Sequence, residues 1–233
     1  MKGFMSAYNT RYTASTNRIE KARKIDAVLC DFFSMRTLEN KKMLDYGCGS
    51  GHIACYFAGR NDVTAADIAD QRDASQRTGM RFVLIESGRL PFEDASFDIV
   101  LLNHVIAYVP DQESVMLEVR RILRDGGVCY FALPNRNFPL EAHSKIPFIH
   151  YLPWPVFFAV FKRVMRSDQP VYLLSYRDMV RLIHAAGFKA REYTIDIIRN
   201  PEKYFAPPLP FHQYFPACLR HVSPTNVFIL VKT

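Results

Sequence analysis

The feature that most constrains this chain is the run Leu44-Asp45-Tyr46-Gly47-Cys48-Gly49-Ser50-Gly51-His52, three alternating glycines between an apolar stretch and a helical one. Met43 and Leu44 read as the end of a buried strand, and Ile53 to Ala58 as the opening of a helix whose free N–H groups face whatever the loop holds. Glycines 47, 49 and 51 can take backbone angles closed to other residues and let a ligand approach the main chain. A glycine loop alone also serves as a tight turn that binds nothing, so its meaning depends on the residues downstream of it.

A second strand-like run comes next, Asp62-Val63-Thr64-Ala65-Ala66-Asp67, ending in an acid 22 positions after Asp45. In a βαβ unit an acid at that tip faces the paired hydroxyls of a nucleoside ribose, which a carboxylate can accept together. Two departures separate this loop from a dinucleotide site. The spacing is Gly-x-Gly-x-Gly rather than Gly-x-Gly-x-x-Gly, and Asp45 stands two residues before the first glycine, where it repels a pyrophosphate and suits a ligand carrying an ammonium group. These residues resemble the class I S-adenosylmethionine-dependent methyltransferases, whose first motif reads hydrophobic-Asp-x-Gly-x-Gly-x-Gly.

The resemblance lengthens over Glu86-Ser87-Gly88-Arg89-Leu90-Pro91-Phe92-Glu93-Asp94-Ala95-Ser96-Phe97-Asp98-Ile99-Val100. This stretch is similar to the adenine-holding segment of the subfamily that includes ubiquinone and menaquinone methyltransferases. Glu86 stands there in place of the usual Asp. The resemblance implies S-adenosylmethionine as cofactor, leaving S-adenosylhomocysteine as product. Asp45, Tyr46, Gly47, Cys48, Gly49 and Gly51 would surround its methionine part, Asp67 and Ile68 the ribose, Glu86 and Ser87 the adenine, with Asn103 at the tip of the next strand. The implied fold is α/β: a Rossmann-like seven-stranded sheet with helices on both faces, an antiparallel last strand and an aromatic-rich insertion after the fifth strand.

Local signals agree with that order. Phe97 to Asn103 reads as the fourth strand, Val115 to Leu123 as a helix stopped by Asp125-Gly126-Gly127, and Val128 to Leu133 as the fifth strand. Ser175 caps a late helix over Tyr176 to Ala186 that ends at Gly187, and Val227 to Val231 closes the sheet. The expectation is one domain over 1–233: a helical arm to 40, the cofactor core over 41–135, an insertion or lid over 136–174 and closing elements to 233. With 49% apolar residues the chain can bury a sizeable core. It has no run of 18 apolar residues, no apolar signal region at its start, and five scattered cysteines of the kind found in reduced proteins. The expected location is the cytoplasm, with peripheral membrane contact through 146–166 as one reading. No metal is expected.

Charge is uneven. Residues 1–135 carry 17 Lys and Arg against 17 Asp and Glu; residues 136–233 carry 13 against 6. The excess is a solvated basic surface or one drawn to an anionic partner: a phosphate-bearing acceptor, a nucleic acid or an acidic lipid face. The segment after the fifth strand, Asn137 to Leu174, contains Ile146-Pro147-Phe148-Ile149-His150-Tyr151-Leu152-Pro153-Trp154-Pro155 and an apolar run ending in Lys162, Arg163 and Arg166. Prolines break its first half, while Val156 to Met165 can form a helix. A lid over the acceptor, a dimer contact and an interfacial membrane anchor all remain open, the last favoured by aromatics beside cations. The chain is expected to be a monomer or a homodimer.

The chemistry derives from the cofactor. A sulfonium methyl is already electrophilic, so the protein has mainly to align an acceptor and exclude water. If the acceptor is a hydroxyl, His104 and His143 are candidate bases. Tyr8, Arg11, Tyr12, Phe148, Tyr151 and Trp154 are candidate acceptor contacts. The resulting expectation is methyl transfer to a small or lipid-like acceptor with an apolar part and an anionic group. A sugar or lipid-linked glycan acceptor is the alternative, and a catalytically silent cofactor-binding regulator the non-enzyme one. A nucleic-acid acceptor is disfavoured because Asn103-His104-Val105-Ile106 lacks the Asn-Pro-Pro-Tyr pattern of amino-directed nucleic-acid enzymes.

Overall fold

The computed structural model describes residues 15–77, 79–86, 89–141, 144, 146–166 and 169–233, with side chains from residue 18 onward. Seven strands form one sheet in the order β3-β2-β1-β4-β5-β7-β6. They are β1 (Lys42–Tyr46), β2 (Asp62–Asp67), β3 (Arg81–Leu84), β4 (Phe97–Asn103), β5 (Leu123–Pro134), β6 (Phe188–Glu192) and β7 (Thr225–Lys232). The first five pair in parallel, while β7 runs antiparallel to both of its neighbours. The expected Rossmann-like sheet with an antiparallel last strand is therefore present.

The sheet is covered on both faces, so its central strands read as unbroken apolar runs, with successive residues serving opposite cores. On one face Met43, Ile99, Leu101 and Tyr130 pack with α1 (Ser15–Phe33) and α2 (His52–Ala58), through Ile25, Leu29, Ile53 and Phe57. On the other, Leu44, Val100, Leu102 and Phe131 meet Met116, Val119, Phe157 and Ile183. These come from α3 (Gln112–Ile122), α4 (Trp154–Met165) and α5 (Tyr176–Ala185). The short α6 (Thr194–Arg199) comes after β6.

Helix ends obey their caps. The Asp111 carboxylate accepts from the Ser114 amide at 3.1 Å, so α3 starts three residues before the expected Val115. The Ser175 hydroxyl accepts from the Asp178 amide at 3.3 Å, as the sequence suggested. The helix expected from Val156 instead begins at Trp154, because Pro155 in the first turn has no amide to waste and its φ is already helical.

Candidate functional site

The strand order reverses between β1 and β4, which opens a crevice beyond their carboxyl ends, and the glycine loop fills it. The amides of Gly47 and Cys48 both donate to the Ala66 carbonyl, at 2.7 and 3.1 Å, folding the loop back over β2. All three loop glycines have positive φ: 74° at Gly47, 51° at Gly49 and 82° at Gly51. Their surroundings differ. A Cβ on Gly47 would lie 2.4 Å from Val105 Cγ2, whereas one on Gly49 would meet nothing within 4 Å. Gly47 therefore lets the turn after β4 close on the loop, and Gly49 leaves its backbone open to a ligand.

Asp67 has two tasks. Its Oδ2 accepts from the Gly49 amide at 2.8 Å and its Oδ1 from the Ile68 amide at 2.7 Å, so the expected ribose acid also holds the loop in shape. A carboxylate has about four acceptor positions, which leaves room for two hydroxyls. The Ile68 side chain is exposed, and its contribution here is its backbone N–H. Glu86 is exposed just past β3, whose end is tied to β2 by the Ile85 amide donating to the Asp67 carbonyl at 2.9 Å. Ser87 lies outside the described residues. The segment beyond it is clamped from α3: the Leu90 amide donates to Glu118 at 2.9 Å, and Arg121 donates to the carbonyls of Leu90 and Phe92 at 3.1 and 2.8 Å.

Asp45 is buried, and its Oδ2 has no hydrogen-bond partner. Burial first, and then the charge of Asp67, push its acid up to about 7, against the pull of Arg18 and the Ala54 amide. Arg18, on α1, likewise has a buried Nε without a partner. An orphaned acceptor and an orphaned donor of opposite charge, beside an open glycine backbone, match the ammonium and carboxylate of an amino-acid zwitterion. These residues fit the methionine end of S-adenosylmethionine. Arg18 was missed in the sequence because it belongs to a charged run, Arg18 to Lys24, that reads as solvated helix surface. Tyr46 is half-buried, and its hydroxyl is pushed up by burial and then by Asp67 and Glu118. Cys48 is buried, and burial, with Asp45 and Asp67 nearby, raises its thiol as well, so it serves as a small filler rather than a reactive group.

Next to this loop lies a cavity of about 420 Å³. Asn103 and His104 line it, and the residue after them, Val105, is the one that packs on Gly47, so loop and cavity share one turn. His104 holds a left-handed backbone, φ 63°, with its amide donating to the Ala132 carbonyl at 2.8 Å. That conformation is uncommon outside glycine and is retained where the surroundings enforce it. The other walls are apolar, from Phe138, Leu140, Ile197, Ile198 and Leu209, with Lys21 and Lys24 supplied by α1. Burial lowers the Lys24 ammonium pKa, partly offset by Glu20.

The aromatic candidates of the insertion stand elsewhere. Phe148, Tyr151 and Trp154 are exposed and do not line this cavity, and Phe157 is buried in the core. The reason is helical: α4 puts Phe157 and Phe161 one turn apart on the sheet side, which anchors the segment and turns its flanks outward. The part of the insertion that reaches the cavity is its start, Phe138 and Leu140. His143, Tyr8, Arg11 and Tyr12 lie outside the described residues. Among the described residues there is no group of acids, histidines and cysteines able to hold a metal ion, and no helix long and apolar enough to cross a membrane.

Residues 44–131 match the family model described as methyltransferase domain. The chain is 29% identical over 164 residues to the ubiquinone biosynthesis O-methyltransferase of Idiomarina loihiensis, covering 64% of this chain and 66% of that protein. It is 28% identical over 128 residues to sterol 4-C-methyltransferase strm-1 of Caenorhabditis elegans, covering 50% and 38%. The matches thus span less than two thirds of either relative's length. Among solved structures, an S-adenosylmethionine-dependent methyltransferase from Thermotoga maritima superposes with a TM-score of 0.61 at 15% identity, over 99% of this chain and 96% of that one. Residues 44–131 thus carry a methyltransferase domain, within a chain whose fold is that of S-adenosylmethionine-dependent methyltransferases. S-adenosylmethionine is the cofactor that this fold and the residues of the glycine loop suit.

Proposed function

We propose that this chain methylates a small or lipid-like acceptor with an apolar body and an anionic group, bound in the cavity beside the glycine loop. The observation that carries this reading is the make-up of that cavity: apolar walls, two lysines from α1, and His104 on the turn that closes over Gly47. The relatives named for ubiquinone biosynthesis and for sterol methylation agree with an apolar acceptor.

Bound S-adenosylmethionine supplies a methyl carbon made electrophilic by its sulfonium. Asp45 and Arg18 would fix the amino-acid end and Asp67, which holds the loop, the ribose, while Leu90 and Phe92 are held on the adenine side by Glu118 and Arg121. Lys24 is half-buried, so an anion beside it restores the charge that burial disfavours, and that gain orients the acceptor. The apolar walls exclude water. His104 takes the proton of an acceptor hydroxyl as its oxygen meets the methyl carbon.

The test is methyl transfer to paired hydroxylated acceptors, one bearing a carboxylate and the other its methyl ester. Lys24→Gln is expected to raise KM for the carboxylate about tenfold, the loss of one charge-assisted hydrogen bond, while leaving the ester and the cofactor affinity unchanged. His104→Gln is expected to lower kcat by roughly 100-fold or more with KM little altered. Equal handling of acid and ester by the parent chain would refute the anionic-acceptor reading. Cofactor binding without turnover on any acceptor would leave the silent regulator.

A further inference from the structure

Helix α4 has two faces of opposite fate. Phe157 and Phe161 are buried in the core, while Val156, Val160 and Val164, each one turn further on, are between 39% and 49% exposed. Leu152, two residues ahead of the helix, is exposed as well, and Trp154, itself exposed, stacks on Phe158 at a 5.1 Å centroid distance. Just before the helix, Phe148 is 57% exposed on a left-handed backbone, φ 58°. Bulky residues pay about 1–2 kcal/mol for that conformation, here to hold a phenyl ring in water. So many exposed apolar side chains on one folded segment mark a contact.

Its charge says with what. Residues 146–166 contain Lys162, Arg163 and Arg166 and no acid, within a half-chain that carries a net of +7. All three cations are exposed. Two copies of this face brought together would set like charges against each other. An anionic lipid surface satisfies both features at once, because valine and tryptophan enter the headgroup boundary while arginine stems run along it and their heads meet phosphate. We propose that the outer face of α4, with Phe148 and Trp154, docks this enzyme on an anionic lipid surface. The insertion that carries α4 also lends Phe138 and Leu140 to the acceptor cavity, so docking would bring that cavity to an apolar acceptor dissolved in the same surface. The docking rests on the helix alone; only this delivery role rests on the reading of the cavity.

The full chain is floated with vesicles of phosphatidylcholine and phosphatidylglycerol in equal parts, and with phosphatidylcholine alone, in the absence of any methyl acceptor. Binding to the mixed vesicles is expected to be about 100-fold tighter, the contribution of three surface cations, and to fall with salt. Arg163→Gln with Arg166→Gln should weaken it about 30-fold. Val156→Asp with Val160→Asp should weaken it at least tenfold, and Val164→Ser provides a milder check should the double change perturb folding. Melting temperature and S-adenosylhomocysteine affinity should be unchanged in each variant. Equal partition onto both vesicles, or undiminished binding by the valine variants, overturns the docking. So does a chain that ignores vesicles and forms dimers which Val160→Asp dissolves, since the occupant is then a second copy. Vesicle binding with no turnover on an apolar anionic acceptor would instead strike the proposed substrate and leave the docking intact.

Discussion

The cofactor half and the acceptor half of this molecule are built in different ways. Around the cofactor the working groups are largely backbone: the positive-φ glycines, the amides of Gly49 and Ile68 on Asp67, and the carbonyls of Leu90 and Phe92 on Arg121. These are set by strand ends whose register the parallel sheet fixes. The acceptor cavity is instead a gathering of side chains from six stretches: 21–25, 103–104, 130–134, 138–140, 194–209 and 224–227. A site of the first kind tolerates little change and stays the same across acceptors; one of the second kind can be refitted by substituting walls. The two meet at the 103–105 turn and along α1, which offers Arg18 to the one and Lys21 and Lys24 to the other.

The sharpest way to break this comparison is to add a methyl group to the loop. Gly47→Ala places a Cβ against both Val105 methyls at a φ of 74°, so cofactor binding should be lost and stability lowered by about 2–4 kcal/mol. Val105→Ala in the same chain should recover part of the stability, since the clash is with a side chain, though not the strain. Gly49→Ala meets open space and should cost only about 1 kcal/mol of stability, yet still weaken the cofactor, because the new methyl stands where the ligand comes closest. Thermal melts and calorimetry with S-adenosylhomocysteine read both. Equal loss of stability in the two variants would show that the loop is merely a turn.

Asp67→Ala comes next, with cofactor affinity expected to fall by about 2–4 kcal/mol for lost charge-assisted bonds to the ribose and to the Gly49 amide. The division between the halves sharpens if the acceptor KM, measured at saturating cofactor, is unchanged. Unchanged calorimetric affinity for S-adenosylhomocysteine would remove Asp67 from the site.

This division also decides what the sequence could reveal. Strands Asp62–Asp67 and Phe97–Asn103 and the Ser175 cap were legible because each is a local signal, periodicity or a cap within a few residues of the element it defines. The glycine loop was legible for the same reason, down to the acid at its head. Strand β3 has four residues, half-buried at best, and no signal strong enough to mark it. The cavity was not legible, since nothing in Lys21 or Lys24 distinguishes a cation over a pocket from one in water until α1 is docked, a step that depends on Asp26 accepting from Tyr56 and Arg60, both at 2.9 Å. The insertion misled for a related reason. Its aromatics marked it as apolar, but which of them face inward is set by the phase of α4, and Phe157 and Phe161 take that side.

The smallest expected effect is one of pH, and it separates the halves by their charges. In the free protein burial and Asp67 hold the Asp45 acid up to about 7, above the ~3.9 of an unfolded aspartate. Its folded form therefore keeps a proton that the unfolded chain releases. That contribution to stability is fully present below pH ~4 and is lost as pH rises through about 7. The ligand's ammonium requires the carboxylate, so binding below about 7 must first expel this proton. S-adenosylhomocysteine affinity should thus be flat above that pH and fall about tenfold per unit below it, with proton release seen as a buffer-dependent heat. Asp45→Asn should bind more weakly at pH 8 and lose the dependence between 5 and 7. A parent chain with constant affinity across that range would show that Asp45 is already ionised in the free loop, with Arg18 rather than the ligand neutralising it.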